Sequence, residues 1–343
     1  MLRAKRVQQG TDRPVRGLRP RPDADGMRRA YLELLKLSLC DLAGARTLSV
    51  MRSGDTRGSD SSIFLRELEP DQVSLRVMGA DWPFSGLTMV GLKRLDDFQT
   101  CIESVVADRI TGNVIEAGTW RGGASILARA TLDCLGADER TVWIADSFKG
   151  LPAPDAEGFP EDAELDLSQV GYLAAPAAEV RGYFARFELD HDIELVEGFF
   201  DETLPALRGQ PWSVIRLDGD TYEATWLGLE SLYPSLSTGG YVIVDDYGLI
   251  TECRRAVDDY RVEHGISDPI EWIDRQAVRW RRGDEPASEL SAPPHRRAQR
   301  PGHARAGAQA PPGRIPSERE LVLERELREL RERLAAAEGE RRR

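Results

Sequence analysis

Val114-Ile115-Glu116-Ala117-Gly118-Thr119-Trp120-Arg121-Gly122-Gly123-Ala124-Ser125 runs from a short apolar segment through a glycine-rich turn into a stretch of helical character. Such a run, ended by glycine, predicts a strand over 114–118 and a helix over 124–135. The alternation continues outward in both directions. Strands are predicted over 142–146, 193–198, 214–217 and 240–244, with a short helix near 203–208 and a longer one over 224–236. Upstream, Leu95, Phe98, Ile102 and Val105 share one face of a helix over 94–108, and 31–39 also has helical spacing. Residues 270–273 and 277–281 predict a closing hairpin. Strands alternating with helices of this length specify an α/β fold with a doubly wound, mostly parallel sheet.

The ends differ in composition from this body. Residues 1–30 carry nine Lys/Arg against three Asp/Glu, and 283–343 carry thirteen against eleven, so against a total net charge of −12 the body, 31–282, carries about −20. An acidic body argues against a nucleic-acid surface, which needs a basic stripe. No apolar run approaches the roughly 20 residues that span a bilayer, and the basic start has no apolar segment behind it. Four widely spaced cysteines form neither a disulfide framework nor a zinc pattern, which suits a reducing cytoplasm. The expected organisation is a disordered basic leader (1–30), an N-terminal helical or lid segment (31–110), a main domain (111–282), a linker (283–316) and a charged helix (317–343). Within 31–110 a mobile loop is expected over 51–61. Residues 148–190 are too long for an ordinary connection and suggest a lid or cap. Leu323, Leu327, Leu330 and Leu334 form a seam in the last segment, read either as one face of a solvated helix or as a short coiled coil joining chains.

Two predicted strands end in acid. Val214-Ile215-Arg216-Leu217 is closed by Asp218-Gly219-Asp220, and Gly240-Tyr241-Val242-Ile243-Val244 by Asp245-Asp246. Ligands of open α/β sheets bind in the crevice outside the carboxyl ends of the strands. Crowded carboxylates there are relieved by protonation or by a bound cation, and a hard divalent metal is the simplest partner. The glycine turn, Glu116 to Ser125, has G-x-x-x-G-G spacing, which is neither the dinucleotide fingerprint nor a phosphate-binding P-loop. Its glycines let the backbone pass close to a ligand such as S-adenosylmethionine, although they also serve a plain tight turn. The candidate binding residues in it are Glu116, Gly118, Thr119, Trp120, Arg121, Gly122 and Ser125. Asp146, followed by Ser147, ends the next strand, where an acid accepts hydrogen bonds from ribose hydroxyls. His191 and His264, the two histidines of the body, fall at loops or helix ends and read as surface residues.

Several stretches in family order resemble the macrocin O-methyltransferase family. They are Asp81-Trp82-Pro83, Thr88-Met89-Val90-Gly91, Arg94-Leu95-Asp96, Glu116 to Gly123, Ala145-Asp146-Ser147-Phe148-Lys149-Gly150-Leu151-Pro152, Arg216 to Asp220, Asp245-Asp246-Tyr247-Gly248 and Trp280-Arg281-Arg282. The resemblance covers about 30–282. It implies a seven-stranded, Rossmann-like class I methyltransferase sheet that uses S-adenosylmethionine and Mg2+ to methylate a sugar hydroxyl of a natural-product glycoside such as a macrolide or aminocoumarin. It further implies that Asp218, Asp245 and Asp246 ligate the metal, that Asp220 is the general base, and that Thr88, Met89, Gly198, Phe199 and Asp218 lie at the donor. A cytoplasmic homo-oligomer is the expected state. Two other readings compete: Asp218-Gly219-Asp220 is also a D-x-D, found in metal-dependent glycosyltransferases, and a methyltransferase fold can persist as a silent interaction subunit.

Overall fold

The structure, a computed structural model, describes residues 23–53 and 62–283. The expected leader up to residue 22, the loop over 54–61, and the linker and charged helix from 284 onward lie outside the described residues. Helix α1 (Ala24–Leu39) starts inside the expected leader, because Asp23 caps it by accepting a hydrogen bond from the Gly26 amide at 2.8 Å. Its Leu32, Leu35 and Leu39 face inward, and the buried Lys36 ammonium bonds Glu33 at 2.6 Å and also Asp96. Met51, expected in a loop, belongs to strand β1 (Leu48–Ser53), which pairs antiparallel with β2 (Ser62–Glu67). The N-terminal segment is thus a helix, a hairpin, a short helix α2 (Val73–Val77) and a long helix α3 (Gly91–Ala107).

The alternating body follows as β3 (Asn113–Ala117), α4 (Gly123–Leu135), β4 (Val142–Asp146), α5 (Ala177–Arg186), β5 (Ile193–Glu197), α6 (Phe200–Thr203), β6 (Trp212–Leu217), α7 (Tyr222–Leu232), β7 (Leu236–Val244), α8 (Thr251–Glu263), β8 (Glu271–Trp272) and β9 (Val278–Arg281). The strands form one seven-stranded sheet in the order β5-β4-β3-β6-β7-β9-β8. The first five are parallel, and the closing hairpin joins β7 antiparallel through β9. This is the doubly wound, mostly parallel arrangement expected from the sequence.

Both faces of the sheet are covered. Along β3 and β6, Val114 and Val214 pack toward α1, α3, α4 and α5, whereas Ile115, Ala117, Ile215 and Leu217 pack toward α7 and α8. That two-sided burial is why the central strands are apolar throughout rather than alternating. Two further elements depart from expectation. Helix α7 stops at Leu232, because a 3-10 turn carrying Pro234 follows and Leu236 already pairs with Trp212. The stretch 148–190 contains α5, whose Val180 and Phe184 are completely buried. Among the described residues no helix is long and apolar enough to cross a membrane.

Candidate active site

Winding reverses between β3 and β6, and the crevice at that switch point opens at their carboxyl ends. There the two strand ends nearly touch. Gly118 sits at φ 89°, and a Cβ on it would fall 1.8 Å from the Asp218 carbonyl oxygen. Only glycine fits.

Carboxylates shape the loop that follows. Asp146 Oδ2 accepts from the Thr119 and Trp120 amides at 2.8 and 3.2 Å, and its Oδ1 accepts from the Phe148 amide at 2.7 Å. Glu116 is wholly engaged: Oε2 accepts from the Thr119 and Ser125 hydroxyls at 2.9 and 2.5 Å, and Oε1 from Arg216 at 2.7 Å. The N-terminal segment and the 148–190 insertion meet over this loop. Trp120 Nε1 donates to the Tyr172 carbonyl at 2.9 Å, the Tyr172 ring stacks on Trp82 at 4.9 Å, and its hydroxyl donates to the Pro83 carbonyl at 2.5 Å. Arg121 donates to the Phe84 and Gly86 carbonyls at 2.9 Å each and lies 4.2 Å from the Trp120 ring centroid. The Gly123 amide donates to the Leu87 carbonyl at 2.9 Å. The insertion also reaches the acidic strand end. Both oxygens of buried Asp162 accept from the first amides of α7, Tyr222 and Glu223, at 2.8 Å each.

The four aspartates past β6 and β7 do not share one environment. Buried Arg216, inside strand β6, reaches Asp218 at 3.0 Å and Asp245 Oδ1 at 2.5 Å as well as Glu116. Arg94 of α3 bonds the other Asp245 oxygen and approaches Asp274 at 3.2 Å. Both oxygens of Asp245 therefore face a guanidinium. One carboxylate oxygen from each of Asp218, Asp220 and Asp246 converges instead, all within 4.8 Å of one another. Asp246 Oδ2 is buried with no hydrogen-bond partner. Desolvation first, and then the charges of Asp218, Asp245 and Asp146, push the Asp220 carboxyl up to about 8. Burial and Asp245 push Asp218 up to about 6, with Arg216 opposing. Burial first, and then the charges of Asp220, Asp218 and Asp245, raise Asp246 well above the usual range, with Arg94 opposing. An all-oxygen set with one orphaned buried oxygen and mutually repelling charges fits a hard divalent cation such as Mg2+.

A cleft of about 560 Å³ joins these parts. Of the residues read from the sequence, Met89, Gly118, Trp120, Asp146, Ser147, Phe199, Asp218, Asp220, Asp245 and Asp246 line it. Thr88, Glu116, Thr119, Arg121, Gly122, Ser125 and Gly198 do not. They lie behind the wall: Thr88 accepts from the Val90 amide at 3.3 Å, and the Gly198 amide donates to the Asp146 carbonyl at 3.0 Å. A Cβ on Gly122, at φ 82°, would meet Val180 at 2.9 Å. His191 is exposed and His264 half-buried, both remote from the lining. Arg94 and Arg216 were not among the residues read from the sequence as site residues, although both are central. An arginine inside the apolar run Val-Ile-Arg-Leu was the available signal, because a buried guanidinium requires carboxylates around it.

The family model for Macrocin-O-methyltransferase (TylF) matches residues 31–282. The chain is 45% identical over 253 residues (73% of it, 92% of the relative) to the 8-demethyl-8-(2,3-dimethoxy-alpha-L-rhamnosyl)-tetracenomycin-C 4'-O-methyltransferase of Streptomyces olivaceus. It is 45% identical over 211 residues (60% and 83%) to the mycinamicin III 3''-O-methyltransferase of Micromonospora griseorubida. Its structure resembles that of the O-methyltransferase NovP, with a TM-score of 0.66, 36% identity, and coverage of 75% of this chain and 99% of the other.

Proposed function

The chain belongs to the macrocin O-methyltransferase family, and we propose that it methylates a sugar hydroxyl of a glycosylated natural product with S-adenosylmethionine as donor. In this reading Asp218, Asp245 and Asp246 hold Mg2+ and Asp220 is the general base. The observation that supports it most is the crowding of Asp218, Asp220 and Asp246 beside the Gly118 loop in one cleft, with Asp245 held next to Asp218 by their shared partner Arg216. The donor lies on the β3 and β4 side, where Gly118, Trp120, Asp146 and Phe199 form the wall. Asp146 spends its oxygens on three amides, yet a carboxylate offers about four lone pairs, so ribose hydroxyls can still be accepted. The acceptor lies on the β6 and β7 side.

A sugar hydroxyl is a poor nucleophile, and bound Mg2+ would polarise its O–H bond and hold it in place. Asp220, pushed up to about 8 by burial and by its acidic neighbours, takes the hydroxyl proton as the oxygen attacks the sulfonium methyl. The new O–C bond forms as the C–S bond breaks, and the donor leaves as a neutral thioether. Arg94 and Arg216 fix Asp245 from both oxygens and keep the cluster from dispersing. Engagement with arginine leaves Asp245 further lone pairs for the metal. The family match sets aside the glycosyltransferase reading of Asp218-Gly219-Asp220.

Calorimetry should show donor binding without metal, and turnover on deoxyglycosides should stop with EDTA and return with Mg2+. Asp220→Asn should keep donor and metal binding while turnover falls about 10²- to 10⁴-fold, the usual contribution of a general base. Asp245→Asn should weaken metal binding. A chain that binds no donor refutes the reading, and full turnover in Asp220→Asn removes that residue as the base.

A further inference from the structure

Most large apolar side chains of the body are buried, but Leu249 is 61% and Trp272 53% exposed. They are neighbours in the fold. Asp246 begins a turn in which the Leu249 and Ile250 amides donate to its carbonyl at 3.0 and 2.8 Å. Leu249 is therefore carried on the same turn as a cluster carboxylate, and it lines the cleft while also facing outward. Trp272, on edge strand β8, meets Tyr247 of that turn edge-on at 5.6 Å, and a Cβ on Gly248 would sit 2.9 Å from the Trp272 ring. Arg254 of α8 lies 4.8 Å from the Tyr247 ring centroid and 5.7 Å from that of Trp272, bracing both. The Gly248 amide donates to the Gln276 carbonyl at 2.6 Å, which ties the turn to the closing hairpin.

We propose that Leu249 and Trp272 form the docking platform for the apolar aglycone of the acceptor and so set which glycosides are methylated. The proposal rests on the glycoside reading of the previous section. Sheet order supplies the direction: the donor wall is on β3 and β4, the carboxylates follow on β6 and β7, and β9 and β8 lie beyond them. Whatever is attached to a sugar held at Asp220 leaves the cleft away from the donor, and Leu249 and Trp272 stand on that side. The apolar surface is continuous from the cleft to the outside, because Leu249 belongs to both. A flat indole, edge-packed and braced by a guanidinium, suits an aromatic or macrocyclic partner better than a polar one.

The test compares two acceptors on the full chain: aryl or macrolide deoxyglycosides, and the matching methyl glycosides, which carry the sugar alone. Trp272→Ala and Leu249→Ala should raise KM for the large glycosides by about tenfold or more, as loss of an anchoring contact does. Trp272→Ala should leave kcat/KM for the methyl glycoside and the affinity for S-adenosylmethionine unchanged, and Trp272→Phe should restore most of the loss. Both side chains are half-exposed or more, so these variants retain the fold, and a matching melting temperature checks it. Equal losses on both acceptors, or none on either, overturn the platform and leave the methyltransferase reading standing. So does a change in oligomeric mass without a change in KM, which would assign the face to a second copy. A parent chain that binds donor but methylates no glycoside of either kind overturns the glycoside reading itself, and the platform with it.

Discussion

Replacing Arg216 by methionine isolates the charge that organises the site. The guanidinium bonds Glu116 at 2.7 Å, Asp218 at 3.0 Å and Asp245 at 2.5 Å and is almost wholly buried. Methionine keeps much of the volume and removes the charge, leaving three carboxylates to repel one another in a desolvated crevice. Removing one member of a buried ion pair costs about 3–5 kcal/mol. For a domain of this size each kcal/mol shifts the melting temperature by roughly 2–4 °C, so a fall of about 6–20 °C is expected. The deficit should depend on pH in a definite direction. Asp218 already titrates near 6 with Arg216 holding it down, so without Arg216 its folded-state value rises further above the unfolded one. The folded variant then binds more protons than the unfolded chain, and its stability falls as pH rises from about 4 through that raised value. The gap to the parent is therefore widest near pH 8 and narrows toward pH 5. Mg2+ should recover part of the loss. Scanning calorimetry at pH 5, 6.5 and 8, with and without Mg2+, reads all of this. A shift under 2 °C at pH 8, or a gap that widens on acidification, refutes the assignment of Arg216 as the counter-charge.

Three further outcomes follow from the same geometry. Gly118→Ala would place a methyl 1.8 Å from the Asp218 carbonyl at a backbone φ of 89°, so donor affinity by calorimetry should fall at least tenfold and the melting temperature should drop; a neutral result contradicts the strand contact. Asp218, a proposed ligand, is held near 6 and its neighbour Asp220 near 8, so protonation of the cluster opposes the metal and the Mg2+ concentration for half-saturation should fall as pH rises from 6 to 8; a pH-independent value argues against Asp218 as a ligand. Ending the chain after Gly283 keeps β9 and the bonds from Arg282 to the Tyr233 carbonyl at 3.1 Å and to the Leu236 carbonyl. Such a chain should keep its melting temperature and its turnover per chain, whereas aggregation would show that the tail belongs to the fold.

The parallel strands were legible because burial on both faces forces continuous apolar runs, and the carboxylates were legible because they interrupt those runs. Position in space was harder to read. Asp245 and Asp246 are adjacent in sequence, yet one faces two guanidiniums while the other has an orphaned oxygen. Arg94 comes from a helix 151 residues away from Asp245, a separation no local pattern reports. Helix α5 was hidden by the Pro, Gly and Asp around it, since its stability comes from burying Val180 and Phe184 against the core rather than from a long periodic stretch. Glu116 and Arg121 were read as facing a ligand because of the loop they occupy. They turned out to spend their polar atoms on the protein, which is how the loop keeps its shape.

Asp162 shows how a surface excursion can share its free energy with the acidic strand end at Asp220. Its two oxygens terminate the helix that begins two residues after Asp220. If the insertion lifted to admit a bulky acceptor, it would strip that terminus of two hydrogen bonds, at a cost of about 0.5–2 kcal/mol. Loading and assembly are in this way thermodynamically linked: whatever favours the seated insertion also orders the first turn of α7, and tight substrate binding and a well-placed Asp220 become one event.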